Sequence, residues 1–488
     1  MTLRDRQVLT RRMNGLPGSV TPEAAPITRL PNGKDATFPG AGVTHGHFPV
    51  EPVLEVDRPR VILSREATEL KYKINDRLVR ELDPMRLGAG LGPEEARRAV
   101  EDAVAELLAQ EHTTISRADE LMIMREVADE VVGYGPIEPL LNDDDITEVM
   151  VNAADRVFYE KAGVLHLSDR TFRDDDHIML LIDKIVSPLG RRIDESSPMV
   201  DARLPDGSRV NAIIPPLALH GPSVTIRKFA KRPYTEHDLI RFGTVTMGMV
   251  DLLRACVACR LNVLVSGGTG TGKTTFLNVL SSFISNRERI VSIEDPAELQ
   301  LKQENWVSLE SRPANVEGRG IVLQRDLVRN ALRMRPDRII VGECRAGEAF
   351  DMLQAMNTGH DGSLTTVHAN SPRDALARIE NMVLMANMDL PAKAIREQIA
   401  SAINIIIQLS RLSDGTRRVT HLSEIVGMEG DVITMHDIFT FHQRGVDGNG
   451  GIVGEIEPGG IRPFFADELE RNGYFLPPEI FQSRRASN

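Results

Sequence analysis

An α/β protein is predicted by three features of the 488-residue sequence. Between residues 61 and 138, apolar residues recur at the 3.6-residue spacing of packed helices. From about Leu140, short β-rich runs alternate with one helical stretch. At 266–280, SGGTGTGKTTFLNVL, an apolar strand passes through a glycine-rich loop into an amphipathic helix. The predicted architecture is a P-loop α/β domain at 233–445, preceded by a small α/β domain at 139–232 and an N-terminal helical bundle at 61–138.

Taken in order, residues 1–60 are rich in Pro and Gly and read as a disordered arm. In the bundle, Leu70, Ile74, Leu78 and Leu82 share one helical face; Ala96, Val100, Val104, Leu107 and Leu108 share a second. The second helix follows Pro93-Glu94-Glu95, a good first turn because proline lacks an N–H that the turn cannot use and acids suit its dipole. Leu121, Met124, Ala128, Val131 and Val132 form the third face, stopped by Gly133. In the small domain, ITEVMVN and RVFYEKAG read as strands, DHIMLLIDKIVSPLG as a helix, and SRVNAIIPP and SVTIRKF as strands again. After the P-loop domain, 446–488 opens with VDGNGGIVGEIEPGG, which reads as a glycine-rich loop in a tail.

Composition narrows the class. Hydrophobic residues make up 41% and aromatics 4%, so the core is mainly aliphatic. No apolar run approaches the ~18 residues of a membrane span; the strongest, Ile403–Leu409, is interrupted by Asn404 and Gln408. The N-terminus, MTLRDRQVLTRR, carries charges where a signal peptide needs an apolar stretch, so a cytoplasmic protein is expected. Lys and Arg number 58 against 70 acids, a net charge of −12 that weighs against a nucleic-acid partner. Of the three cysteines, Cys256 and Cys259 form a C-x-x-C. A zinc site needs four ligands and no second cysteine pair exists, so these thiols read as residues of the helix at Met247–Cys259.

The loop carries the chemistry. Gly267-x-x-x-x-Gly272-Lys273-Thr274 follows the strand Leu261–Val265 and precedes a helix whose Phe276, Leu280, Phe283 and Ile284 share a face. Glycines let successive N–H groups point inward, and the helix terminus adds positive potential, so Gly267, Gly268, Thr269, Gly270, Thr271, Gly272, Lys273, Thr274 and Thr275 form a phosphate cradle. Lys273 is expected to reach the β- and γ-phosphates of ATP and Thr274 to hold Mg2+.

Open parallel sheets place ligands at the carboxyl ends of their strands. RIVSIEDPAE ends in Glu294, Asp295 and Glu298; DRIIVGE ends in Glu343 after Gly342; GSLTTVHAN ends in His368. Glu343 is assigned to Mg2+ through its water shell, Glu294 to orienting or deprotonating water, and Glu298 is a further candidate for the metal. His360 and His368, eight apart, lack metal spacing; His368 suits a γ-phosphate sensor, and His360 suits that role less well or a structural one.

GGTGTGKTT, SIEDPAELQL, RPDRIIVGECRAGEAFDMLQAMNTGHDGSLTTVHANSPRDAL and DARLPDGSRVNAIIPP together resemble the secretion ATPase superfamily of type II and type IV secretion systems. The first three contain, in the family's order, its Walker A loop, Asp box, Walker B and His box. More closely they resemble the CpaF-like branch, motors of tight-adherence (Tad/Flp) pili, over about residues 60–480. The resemblance implies a homo-hexameric ring of RecA-like ATPase domains, each behind an N-terminal α/β domain. It implies ATP and Mg2+ as cofactors, and inner-membrane platform proteins as partners at the cytoplasmic face.

Family arginines that approach the nucleotide correspond to Arg203, Arg209 and Arg227, and an arginine reaching a neighbouring subunit's site is expected. Such a residue is worth ~10³–10⁵ in rate. A four-cysteine zinc element found in many type II assembly ATPases has no counterpart here. Cys344 and Ala346 replace the usual valine and glycine; both are small, so little consequence is expected, though a thiol beside Glu343 could make activity sensitive to thiol reagents. A nucleic-acid-translocating ATPase with the same core is the alternative motor. A small-molecule kinase would need a lid and an acceptor site, and neither is visible. A nucleotide-gated scaffold fits poorly with intact Lys273, Glu294 and Glu343.

Overall fold

Helices α1 (Arg65–Glu81), α2 (Pro93–Gln110) and α3 (Arg117–Val131) bury Ile74, Leu78, Val100, Val104, Ile123 and Val127 against one another. The computed structural model describes residues 63–482 apart from 82–91, 112–114, 162, 230–231, 313, 315–318, 387–389 and 449. The arm expected at 1–60, and Leu82 of the first face, lie outside the described residues. Polar side chains set the helix starts. Glu95 accepts the Gly92 N–H at 3.2 Å, and Ser116 Oγ accepts the Asp119 N–H at 3.0 Å, each satisfying a donor that the first turn leaves over. The third face is rotated from the expected one: Leu121 is 45% exposed, while Ile123, Val127 and Ala128 are buried. Each residue turns a helix by about 100°, so Leu121 points away from the seam that Ile123 fills.

The bundle is tied firmly to the next domain. Lys184 Nζ donates to the Glu130 and Val131 carbonyls at 3.0 and 2.8 Å, covering the open C-terminal end of α3. Nε2 of His177 lies 2.9 Å from the Glu130 carboxylate. After a short α4 (Glu138–Asn142), this domain forms β1 (Ile146–Ala153), β2 (Arg156–Lys161), β3 (Val164–Leu167), α5 (Asp175–Val186), β4 (Met199–Arg203), β5 (Arg209–Ile213) and β6 (Ser223–Arg227). The strands make one antiparallel sheet in the order β3-β2-β1-β6-β5-β4. Val149, Val151, Val157, Val224 and Ile226 pack with Ile178, Leu181, Ile182 and Ile185 of α5. β3 and β4 are additions to the strands read from the sequence.

The RecA-like domain contains α6 (Glu236–Arg241), α7 (Met247–Ala258), β7 (Val263–Gly267), α8 (Lys273–Ser281), β8 (Ile290–Glu294) and β9 (Trp306–Glu310). It continues with α9 (Gln324–Ala331), β10 (Arg338–Cys344), α10 (Glu348–Asn357), β11 (Leu364–Val367), α11 (Pro372–Met385) and α12 (Ala392–Ala402). Four strands then follow, β12 (Ile405–Arg411), β13 (Arg417–Glu429), β14 (Val432–Val446) and β15 (Ile452–Pro458), before α13 (Ala466–Arg471). The sheet order is β15-β14-β13-β12-β7-β11-β10-β8-β9, parallel from β12 to β9 and antiparallel from β12 to β15.

Helices cover both faces, which explains strands without polar alternation. In β7, Val263 and Val265 pack on the α7 and α8 side, and Leu264 on the α10–α12 side. Ile405 and Ile407 of β12 divide from Ile406 in the same way. Full burial of each such side chain contributes about 1.5–3 kcal/mol. Residues 446–482 are not a glycine-rich tail: β14 ends at Val446, β15 pairs with it, and Phe465, Leu469 and Phe481 enter the α7/α8 core. Cys256 is buried in that core and Cys259 stands half-buried at the end of α7. Among the described residues, no helix is long and apolar enough to cross a membrane.

Candidate functional site

The phosphate loop is shaped by contacts that admit no side chain at Gly267. A Cβ there would lie 2.5 Å from Thr271 Oγ1 and 2.8 Å from the Leu409 carbonyl. Gly272 precedes α8 with φ of 89°, a left-handed conformation that glycine adopts without strain. Thr271 Oγ1 donates to the Gly268 carbonyl at 2.9 Å, and Lys273 Nζ donates to the same oxygen at 3.0 Å. The loop thus holds its lysine folded over itself. Thr269 is exposed at the loop's tip, and Thr274 and Thr275 are half-buried in the first turn of α8, next to the cradle. Burial depresses the Lys273 ammonium to about 8, against the opposing pull of Glu343. An ammonium that has lost water without a full counter-charge is prepared for an anion.

The strand ends complete the pocket. Lys273 Nζ lies 3.3 and 3.2 Å from Nδ1 and Nε2 of His368, just beyond the end of β11. His368 Nε2 is 2.9 Å from Glu343 Oε1 on β10, and Arg345 Nη2 donates to Glu343 Oε2 at 2.8 Å. Burial, reinforced by Lys273, lowers the His368 pKa, so the ring is neutral at pH 7. Glu294 stands at the end of β8, the neighbour of β10. Its Oε2 accepts the Glu298 and Leu299 N–H groups at 2.7 and 2.9 Å, while Oε1 is buried without a partner. Burial outweighs those two bonds and raises the Glu294 pKa to about 7. Gly342 makes room for this side chain, because a Cβ there would sit 2.8 Å from Glu294 Cγ.

Arg203, Arg209 and Arg227 form one row across the N-terminal sheet: Arg203 opposes Arg209, and Arg209 opposes Arg227. Directly opposed residues share a face of a sheet. The row extends to Glu148, whose Oε1 lies 3.6 Å from Arg227 Nε. Arg209 Nη1 bonds Glu298 Oε1 at 2.6 Å, and Arg203 Nη2 bonds Glu310 Oε2 at 3.0 Å. Both acids belong to the RecA-like domain of the same chain. Within one chain, therefore, Arg203 and Arg209 each meet an acid of their own polypeptide. Glu298, a candidate for the metal, has its Oε1 engaged by Arg209.

Two other expectations change. His360 precedes β11 at its amino end, whereas the site gathers at the carboxyl ends, so only His368 joins it. Cys344 is not a reactive neighbour of Glu343: successive residues of a strand point to opposite faces, and its Sγ lies within 3.4 Å of Met352 Sδ and Thr365 Oγ1 in the core. Burial pushes this thiol up to about 12. Arg345 was not singled out from sequence, though its place two residues after Glu343 was the available signal. Glu348 fixes it by accepting the Arg345 and Ala346 N–H groups at 2.5 and 2.8 Å.

The family described as type II/IV secretion system protein matches residues 130–453, which span every element of this site. A putative conjugal transfer protein of Mycobacterium tuberculosis is 38% identical over 317 residues, covering 63% of this chain and 89% of that protein. The type IV secretion system protein VirB11 of Bartonella henselae is 32% identical over 329 residues, covering 59% and 90%. The crystal structure of the VirB11 ATPase from the Brucella suis type IV secretion system aligns at 29% identity over 59% of this chain and 94% of that one, with a TM-score of 0.33. With a phosphate loop, a desolvated lysine and carboxylates at adjacent strand ends, the chain belongs to the type II/IV secretion system protein family and is an ATPase of it.

Proposed function

We propose that this ATPase is one subunit of a homo-hexameric motor that drives assembly of a Tad-type pilus or a related secretion machine. The reading places it at the cytoplasmic face of the inner membrane, held there by platform proteins. The CpaF-like pattern of the four sequence blocks supports the pilus assignment. Catalysis rests on one observation above the rest: Glu294 keeps a buried, unpartnered carboxylate oxygen one strand from Glu343.

The donors fit Mg-ATP. Thr274 offers a hydroxyl in the first turn of α8 and Glu343 a carboxylate, both hard oxygen ligands suited to Mg2+. Bound there, the ion would offset charge on the β- and γ-phosphates. Lys273 binds the same oxygens, leaving the Gly268 carbonyl and His368 to do so. Glu294 takes the proton of the attacking water through Oε1 and holds it in a site shielded from solvent. His368, neutral, donates a hydrogen bond near the γ-phosphate. Arg345 steadies Glu343, and the arginine row of the N-terminal sheet closes over the pocket.

A nucleic-acid motor is the second reading, favoured by relatives named as conjugal transfer proteins and opposed by the net charge of −12. ATP turnover per subunit, measured with Mg2+ from nanomolar to micromolar protein, tests the motor reading. A rate that climbs and then levels is expected of an assembling ring. No turnover with Mg2+ at any concentration would overturn it, and stimulation by DNA with a steep salt dependence would favour the second reading.

A further inference from the structure

Among the described residues, two arginines beside the phosphate loop have no acidic partner. β12 runs parallel to β7, with Leu409 opposite Gly267, and continues two residues past the strand end to Arg411. The chain turns through Leu412–Thr416 and returns as β13 with Arg417 opposite Arg411. Asp414 fixes this turn, accepting the Thr416 N–H at 2.9 Å and the Ile452 N–H at 2.8 Å. Two like charges directly opposed on adjacent strands destabilise a sheet. Among the described residues, most arginines near the site are relieved by a carboxylate: Arg203, Arg209, Arg227 and Arg345 each have one. Among the same residues, Arg411 and Arg417 bond only to carbonyl oxygens, and both are exposed.

Those carbonyls define where the pair sits. Arg417 Nε donates to Gly270 of the phosphate loop at 2.9 Å, and its Cδ lies 3.5 Å from the Cβ position of Gly272. Arg411 Nη1 is 3.8 Å from the Cβ position of Gly270, while its Nη2 donates to the Gly163 carbonyl at 2.9 Å. Gly163 belongs to the turn between β2 and β3 of the N-terminal domain. Arg411 therefore spans from the loop's tip to the other domain.

The orientation of a bound nucleotide follows from the sheet order. Lys273, which serves the β- and γ-phosphates, points to His368 on the β11 side of β7. β12 flanks β7 on the opposite side. A triphosphate running from β11 over the loop brings its α-phosphate and nucleoside to the β12–β13 turn. Guanidinium forks suit phosphate oxygens and stack on flat aromatic bases.

We infer that Arg411 and Arg417 bind the α-phosphate and nucleoside end of the nucleotide, and that capture of Arg411 frees the β2–β3 turn, so that the N-terminal domain senses an occupied loop. The inference rests on the ATP site proposed above and adds two binding residues and a route between domains to it.

ADP titration by calorimetry on the full chain tests it, with R411Q, R417Q, R411K, R417K and K273A beside the wild type. Each glutamine variant is expected to weaken ADP and ATP by the same factor, about tenfold, because neither arginine meets the γ-phosphate; the lysine variants fall between. Hydrogen exchange at 158–167 is expected to rise on adding ADP to the wild type. In R411Q it is expected to be high already and to ignore ADP. If all four arginine variants bind ADP like the wild type while K273A does not, or if exchange at 158–167 responds to ADP identically in R411Q, the inference is wrong and the ATP site stands. If the wild type itself binds no nucleotide, the site and the inference fail together. Both side chains are exposed, so melting temperatures close to the wild type are expected; should a glutamine variant fail to fold, the lysine variant supplies the comparison.

Discussion

Arg209 donates to Glu298 across 2.6 Å, joining the N-terminal sheet to the segment behind β8 of the same polypeptide. The pair is partly exposed, so its worth to stability is under about 1 kcal/mol. Its position, beside the end of β8 that carries Glu294, gives it functional weight. Chains bearing K273A and chains bearing R209Q are each expected to lose at least 99% of ATP turnover, given ~10³–10⁵ for an arginine acting on the transition state. If the arginine serves its own chain's nucleotide, mixing and reassembling the two leaves turnover at the sum of the inactive parts. Recovery of a sizeable fraction of wild-type activity would show that it serves a neighbour.

The Glu294 carboxyl, raised to about 7 by burial, sets an acid limb in the rate. As a base it works only when ionised, so kcat is expected to rise through pH 7 and flatten above it. E294Q is expected to lose ~10²–10⁴ in kcat and to abolish that limb. Stability moves the opposite way. Between about 4.5, the ordinary carboxyl value, and 7 the folded state holds a proton that the unfolded chain has released, so stability falls as pH rises across that window. The total is about 3 kcal/mol, and E294Q is expected to narrow this pH dependence in denaturant melts. A kcat profile without a limb between pH 6 and 8 would remove Glu294 from the role.

G342A puts a methyl group 2.8 Å from Glu294 Cγ, closer than packed atoms approach. Either the carboxylate turns or β10 shifts. The expected cost is about 1–3 kcal/mol, with kcat reduced at least tenfold and ADP affinity unchanged, since the phosphate loop is untouched. Equal losses in ADP binding and turnover would point to a wider collapse of the sheet.

Leu469 is fully buried in α13 against the α7/α8 core. L469A is expected to cost about 2–5 kcal/mol, readable as a lower denaturant midpoint at unchanged slope. A change under 0.5 kcal/mol would mean that 459–482 does not pack as described.

Thiol labelling separates the three cysteines. Cys344 and Cys256 are buried with raised thiol pKa values, and Cys259 is half-buried at the end of α7. Native protein is expected to take one label per chain, at Cys259, with the other two reacting after denaturation. Native labelling of Cys344 with loss of turnover would restore the sensitivity expected from sequence.

The parallel core was readable because its strands are buried on both faces. IVSIE and RIIVGE are apolar runs that end in charge, and little else places a carboxylate where such a run stops. Helix starts were readable because Pro93 and the acids after it act locally. The antiparallel half was hidden for the converse reason. β15 lies at the sheet's edge, and its glycine and glutamates are what an edge tolerates, so IVGEIEP resembles a loop. Leu121 misled because an apolar residue on a helix does not reveal which seam the neighbours cover. The arginine row could not be seen from spacing, since Arg203, Arg209 and Arg227 meet only through strand register, as do Arg411 and Arg417.

The grip of Lys184 on the last carbonyls of α3 has a mechanical consequence. Bundle and N-terminal sheet cannot swivel independently without breaking those bonds, so any displacement of the sheet would be handed on to the bundle as though the two were one body.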